Sequence, residues 1–139
     1  MNYLIYISTS LRLLSDHDLE EMLEQSLIHN SNAGITGVLL YNRGTFFQVL
    51  EGEEEQVSAT FEKIKDDPRH HNIIKMKSGP IAERNFTDWS MGFKASSKYL
   101  SQRPGYVDPA KTDFLYRYNS NHPAVYLLKS FATTNNFVF

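Results

Sequence analysis

Gln48 is the residue in this sequence whose chemistry fits its surroundings least. It lies in TFFQVL, residues 45–50, among Phe46, Phe47, Val49 and Leu50, which suit a buried strand. A primary amide carries two donors and one acceptor, and leaving such groups unpaired in an apolar interior costs roughly 1–3 kcal/mol. Two readings meet that demand. Gln48 lies near a sheet edge or bonds to backbone, or it bridges another polar side chain and a bound ligand. Tyr6 is a natural partner, because a phenol and an amide can each donate and accept, giving a chain whose direction can reverse. Taken alone, a tyrosine in a strand is ordinary core.

Other polar residues carry two readings as well. Asn30 and Asn32 follow the first helical stretch, where asparagine is a routine terminator; an asparagine amide also matches an imide edge. His29 has the same ambiguity. Lys63, Lys65, Arg69, His70 and His71 gather at and after the end of the second helical stretch. The helix dipole favours cations there, and an anionic or carbonyl-bearing ligand is the alternative. His70-His71 lacks the i,i+4 spacing of a helical metal pair, so no metal site is expected. Trp89 and Met91 read as core filler. GITG and LEGEEE match neither the phosphate loop nor the dinucleotide fingerprint, and nothing around Ser8-Thr9-Ser10 marks a nucleophile. The carboxylates of EGEEE read as a solvated helix start, which the dipole favours.

These residues need elements to hold them. Asn2–Ser8 is a strand. Ser15 opens a capping box with Asp18, and Leu19, Met22, Leu23 and Leu27 continue at helical spacing to about residue 29. Residues 35–41 and 45–50 form a hairpin around Asn42-Arg43-Gly44. A second helix spans about 54–66 and stops at Asp67-Pro68. Strands follow at about 72–78 and 90–94. The order βαββαββ predicts an α+β, ferredoxin-like sandwich with both helices on one sheet face. The period of two puts Leu4, Tyr6 and Ser8 on one face, and Phe46, Gln48 and Leu50 on one face. If both face the helices, Tyr6 and Gln48 meet. Beyond about 97 the character changes. SSKYLSQRPGY reads as a linker, and two short C-terminal helices follow, one from Asp108 to about Tyr118 and one from Pro123. They could cover the open sheet face or make a subunit contact. NNFVF at the end reads as loose.

With 139 residues the chain suits one domain, large enough to bury a core without staples. The absence of cysteine excludes disulfides, thiolate metal sites and cysteine nucleophiles. A net charge of −2 argues against a nucleic-acid footprint. No apolar run reaches the roughly 20 residues of a membrane span. The start, MNYLIYIS, lacks the pattern of a signal peptide, so a cytoplasmic location is expected.

Several motifs then converge. LIYIS, HNSNAGITGVLLY, FFQVLEGEEEQV, DDPRHHN and NFTDWSMGF stand in an order and spacing that resemble the BLUF domain, a flavin-binding blue-light sensor, over about Tyr3 to Lys94. The resemblance implies a flavin domain over 1–97 and a helical extension over 98–139. It implies noncovalent FAD, with FMN as the alternative, held between the two helices. Tyr6 falls on the photoactive tyrosine and Gln48 on the switching glutamine. Ser8, His29, Asn30, Lys63 and His70 fall on cofactor-binding positions. Lys63 stands where some members carry arginine, whose planar fork lysine cannot reproduce. Trp89 and Met91 fall on residues that relay the signal.

The implied mechanism is electron and proton transfer from Tyr6 to the excited flavin and back, leaving a rotated or tautomerised Gln48, a new hydrogen bond to flavin C4=O and a small red shift. The chain resembles short members that are not enzymes and signal through a separate protein or through a homo-oligomer, with no direct role for nucleic acid or membrane. Two other classes frame this reading. One is a ferredoxin-like regulatory module that senses a ligand other than light. The other is an acyl-phosphate hydrolase, which needs an arginine in a phosphate cradle, and STSLR offers Arg12 without the glycines.

Overall fold

The computed structural model describes residues 1–93, 102–108 and 121–134. Nine elements follow in order: β1 (Asn2–Ser10), α1 (Asp16–Ala33), β2 (Thr36–Asn42), β3 (Thr45–Gly52), α2 (Glu54–Lys65), β4 (His70–Pro80), β5 (Trp89–Gly92), β6 (Tyr106–Val107) and α3 (Pro123–Thr134). The six strands form one sheet in the order β4-β1-β3-β2-β5-β6. Its first four strands give the expected interleaved βαβ pattern, with β1 antiparallel to both β3 and β4 and β2 antiparallel to β3. β5 joins β2 in parallel, and β6 joins β5 in parallel.

Local chemistry explains most boundaries. Ser15 and Asp18 form the capping box in both directions, and Gly34 closes α1 at φ 68° with its N–H on the carbonyls of Asn30 and Ser31. Arg43 and Gly44 both have positive φ, the geometry of a two-residue hairpin loop that matches strand twist. Gly37 is required for another reason: a Cβ there would lie 1.9 Å from the Val49 carbonyl oxygen of the adjacent strand.

Alternation sorts the core into two faces. Toward α1 and α2 point Leu4, Tyr6, Leu39, Phe46, Gln48, Leu50 and Met91. On the other face Ile5, Val38, Leu40, Phe47 and Val49 pack with Val125, Leu128 and Phe131 of α3. Of the two outcomes foreseen for the C-terminal helices, α3 therefore takes the first and covers the open face.

Several expectations need correction. α1 runs to Ala33, so Asn30 and Asn32 belong to its last turn rather than to a following loop. β4 begins at His70 rather than at about residue 72, because it pairs with β1 as far as Ser10, so His70 and His71 are strand residues. The stretch read as a linker contributes β6, held by pairing to β5 and by Tyr106 Oη donating to the Phe93 carbonyl. Glu51, read as part of a solvated helix start, is fully buried on β3. Its carboxylate accepts from the backbone N–H groups of Asn85 and Phe86 and from Asn85 Nδ2, while Arg84 donates to the Glu51 carbonyl. The expected helix from Asp108 to Tyr118 and the tail NNFVF lie outside the described residues, apart from Asp108 itself.

Candidate functional site

The register of the sheet assembles the site. Tyr6 on β1 stands opposite Gln48 on β3, which stands opposite Leu39 on β2, which stands opposite Met91 on β5. On the outer side Tyr6 stands opposite Lys75 of β4. Cross-strand partners share a face, so these side chains form one transverse row beneath the helices. At its centre Tyr6 Oη donates to Gln48 Oε1. This is the arrangement that the two alternation patterns require once both strands turn the same face inward.

A cleft of about 260 Å3 opens above that pair, between α1 and α2. From α1 it is lined by Met22, Gln25, Ser26, His29 and Asn30, a helical face at i, i+3, i+4, i+7 and i+8. From α2 come Thr60, Lys63 and Ile64 at i, i+3 and i+4, followed by Asp67, Arg69 and His70 of the turn into β4. His29 Nε2 meets Thr60 Oγ1 at 3.1 Å, tying the two helices across the cleft. Asn30 is buried although it lies near a helix end.

Electrostatics keep the centre neutral. Burial, and secondarily the nearby Asp67 carboxylate, push the Tyr6 phenol far above its usual pKa, so it remains protonated. Burial is also the main reason that the His70 pKa falls to about 4; Asp67 opposes that fall and Arg69 adds to it. His70 is therefore neutral near pH 7, with Nδ1 2.9 Å from Ser8 Oγ and its ring 4.4 Å from that of Phe46. Burial, then Lys63, lowers the His29 pKa as well. For Asp67, burial works against ionisation, but hydrogen bonds and charge from Arg69 outweigh it and leave the carboxyl below its usual range. The Arg69–Asp67 bridge closes at 2.6 Å.

Of the residues expected at the site, Tyr6, Gln48, His29, Asn30, Lys63 and His70 all line the cleft. Ser8 stands behind His70 and bonds it. Met91 and Trp89 are buried beside the cleft in the core beneath α1. The Trp89 indole N–H is buried with no hydrogen-bond partner among the described residues. Asn32 is exposed and outside the cleft, and Lys65 turns out to Glu62 and over the Phe61 ring. Gln25, Ser26, Thr60 and Asp67 were not singled out for the site by sequence reasoning, whereas Arg69 was named in the cationic cluster after the second helix. Stepping i+3 and i+4 along the helical face from Met22 would have found the first two. Asp67 carries no pattern, because a turn places it. Among the described residues no group of three or more His, Asp or Glu could hold a metal, and no helix is long and apolar enough to cross a membrane.

The donor set fits a flat heterocycle with a polar edge. Met22, Leu39 and Ile64 give aliphatic walls, and the amides of Asn30 and Gln48 give donors and acceptors, the usual make-up of a small-molecule site. Residues 1–92 match the profile of the BLUF family, described as sensors of blue-light using FAD. Photoactivated adenylate cyclase subunit beta of Euglena gracilis is 41% identical over 73 residues, which is 52% of this chain and 8% of that protein. The chain thus spans a small part of that relative. Two solved structures match along nearly their whole length. The photo-activated state of BlsA is 34% identical at a TM-score of 0.65, covering 97% of this chain and 94% of the other. The dark state of BlrB, a BLUF protein, is 30% identical at a TM-score of 0.65, covering 96% of each.

Proposed function

Because this chain belongs to the BLUF family, blue-light sensors that bind a flavin, we propose that Tyr6 and Gln48 form its photoactive pair. The chain is a blue-light photoreceptor. The observation that carries the assignment is the hydrogen bond from Tyr6 Oη to Gln48 Oε1 at the wall of the cleft. Flavin, when bound, supplies the absorption of blue light and an acceptor for an electron. The chain's own residues do the rest. Tyr6 is held protonated in the dark, so its proton leaves only as an electron does, and Gln48 Oε1 is the oxygen positioned to receive it. When the tyrosine is restored, a rotated Gln48 turns its NH2 group toward Tyr6, and the phenol must accept where it had donated; tautomerisation reaches a similar exchange. Both arrangements satisfy the buried groups, so two states of similar energy exist for light to repopulate.

His29, Asn30, Lys63 and His70 hold the flavin edge in this reading, and Ser8 orients His70. The bound species is FAD, as the family description has it, and mass spectrometry of the extracted cofactor distinguishes FAD from FMN. Leu39 lies between Gln48 and Met91 in the transverse row, so a turn of Gln48 reaches β5, where Met91 and Trp89 pass it on. Residues 1–97 are the sensing unit and 98–139 an extension that adds β6 and α3. The chain acts without catalysis in the cytoplasm and hands its signal to a separate effector protein or to a homo-oligomer, with no direct nucleic-acid or membrane contact.

Absorption spectra of the flavin-loaded protein in darkness, after blue light and during recovery test the reading. The flavin band should move slightly to the red and return in the dark, and Gln48→Leu should remove the shift. A loaded protein whose band stays still under blue light would overturn it.

A further inference from the structure

β4 is an edge strand of eleven residues. It pairs with β1 on one side, and among the described residues no strand pairs with its outer side. Its outer half is unusually open: Ile74, Lys75, Met76, Lys77 and Ser78 are five consecutive exposed residues, with Ile74 60% and Met76 45% accessible. A long edge of free N–H and C=O groups is a template for another strand.

A groove of about 700 Å3 runs beside this edge, between α2 and β4. Leu4, Phe61 and Ile73 give it an apolar floor, and Lys65, His71 and Lys75 stand on its rim. Glu62 also lines it and is paired to Lys65. Lys75 and Lys77 have no carboxylate partner among the described residues. The groove is separate from the flavin cleft, sharing with it only His70.

We infer that the β4 edge is a docking site for an acidic, extended segment of a partner protein, which adds a seventh strand and sets alternate side chains into the groove. Backbone pairing supplies attraction, and the groove selects the side chains. The lysines decide the occupant. β4 is irregular at Met76, so Lys75 shares a face with Tyr6 and Lys77 the opposite face with Ile5; a second copy laid on this edge would bring lysines against lysines, which is repulsive, whereas a strand with glutamate or aspartate on both faces meets them with complementary charge. Lysine on an edge thus discourages self-pairing and favours an acidic guest through the same charge.

The test uses the full flavin-loaded chain in the dark, so its result does not depend on the photocycle. The probe is a fluorescent peptide repeating Glu-Glu-Val-Val, which puts acidic and apolar side chains on both faces of the strand, followed by anisotropy. The peptide should bind, and the Lys75→Glu, Lys77→Glu double variant should weaken binding at least about tenfold. Both lysines are exposed and outside the cleft, so an unchanged flavin band verifies the fold of the variant. A second arm needs no variant of the protein: N-methylating the peptide amides along one edge should abolish binding, while methylating those along the other should spare it. Equal binding of a lysine–valine peptide, indifference to both manipulations, or no binding up to about 1 mM would overturn the inference. A change of oligomeric mass in the double variant would overturn it too, by assigning the edge to a second copy.

Discussion

The two faces of this sheet are built from the same strands by alternate residues, yet they do different work. On β1, Ile5 and Ile7 face α3 while Tyr6 and Ser8 face α1 and α2; on β3, Phe47 and Val49 alternate with Gln48. The α3 face is hydrocarbon at its centre, with Phe47 stacked on Phe131 at 5.1 Å between centroids, and carries buried Glu51 at its margin, paired to Asn85 and Phe86. The opposite face has a polar centre ringed by apolar residues: Tyr6 bonded to Gln48, and His70 bonded to Ser8. Packing at the centre of the first face needs volume and shape alone. On the second every buried group also needs a partner, and a group that can change partners can store a state. In the proposed reading, stability is concentrated on one face and switching on the other, one residue apart.

Mutations on adjacent residues should separate the two roles. The largest effect belongs to Tyr6→Phe, which removes the hydroxyl and leaves the ring. The blue-light shift should vanish while flavin stays bound, read by difference spectroscopy; a persisting shift would break the contrast. Phe47→Ala, one residue from Gln48, should do the opposite. It should lower stability by about 3–5 kcal/mol in urea unfolding and leave the shift intact in the folded fraction.

The third prediction uses pH. The folded His70 pKa lies at about 4 against an ordinary 6.5, so between those values the unfolded chain binds more protons than the folded one. The stability that neutral His70 allows is complete above about pH 6.5 and is lost as pH falls toward 4, roughly 3 kcal/mol in all. Urea midpoints at several pH values in that window should fall more steeply for the native protein than for His70→Gln; parallel curves would remove His70 from the polar centre. The smallest effect lies away from both faces. Ser15→Ala deletes the α1 cap and should cost about 1 kcal/mol by the same unfolding measurement, with no change in the light response.

Much of this was legible residue by residue. The capping box at Ser15 and Asp18, the Arg43-Gly44 turn and the stop before Pro68 are local rules, and α1, the hairpin and the end of α2 follow them. Gln48 was legible as a problem, because an amide in an apolar strand demands a partner wherever the strand goes. Glu51 is the instructive failure. In sequence it opens a run of carboxylates and resembles a solvated helix start, but its partners, Asn85 and Phe86, lie more than thirty positions away. Asn30 was misread in a similar way: glycine at position 34 ends α1 later than the asparagines suggested.

The sequence by itself determined the elements from β1 to β5 and α3, their order and which residues share a face, because periods of two and 3.6 are properties of short stretches; β6, in a stretch that reads as a linker, it did not. It also determined that one face would carry a polar centre, through the types at positions 6, 8 and 48. Only the tertiary structure decided which of those residues stand opposite one another, that β4 reaches back to His70 and lays it against Ser8, that a loop buries Glu51, and that α3 closes the far face. Register, burial and helix docking depend on pairings between distant segments, and no local period encodes them.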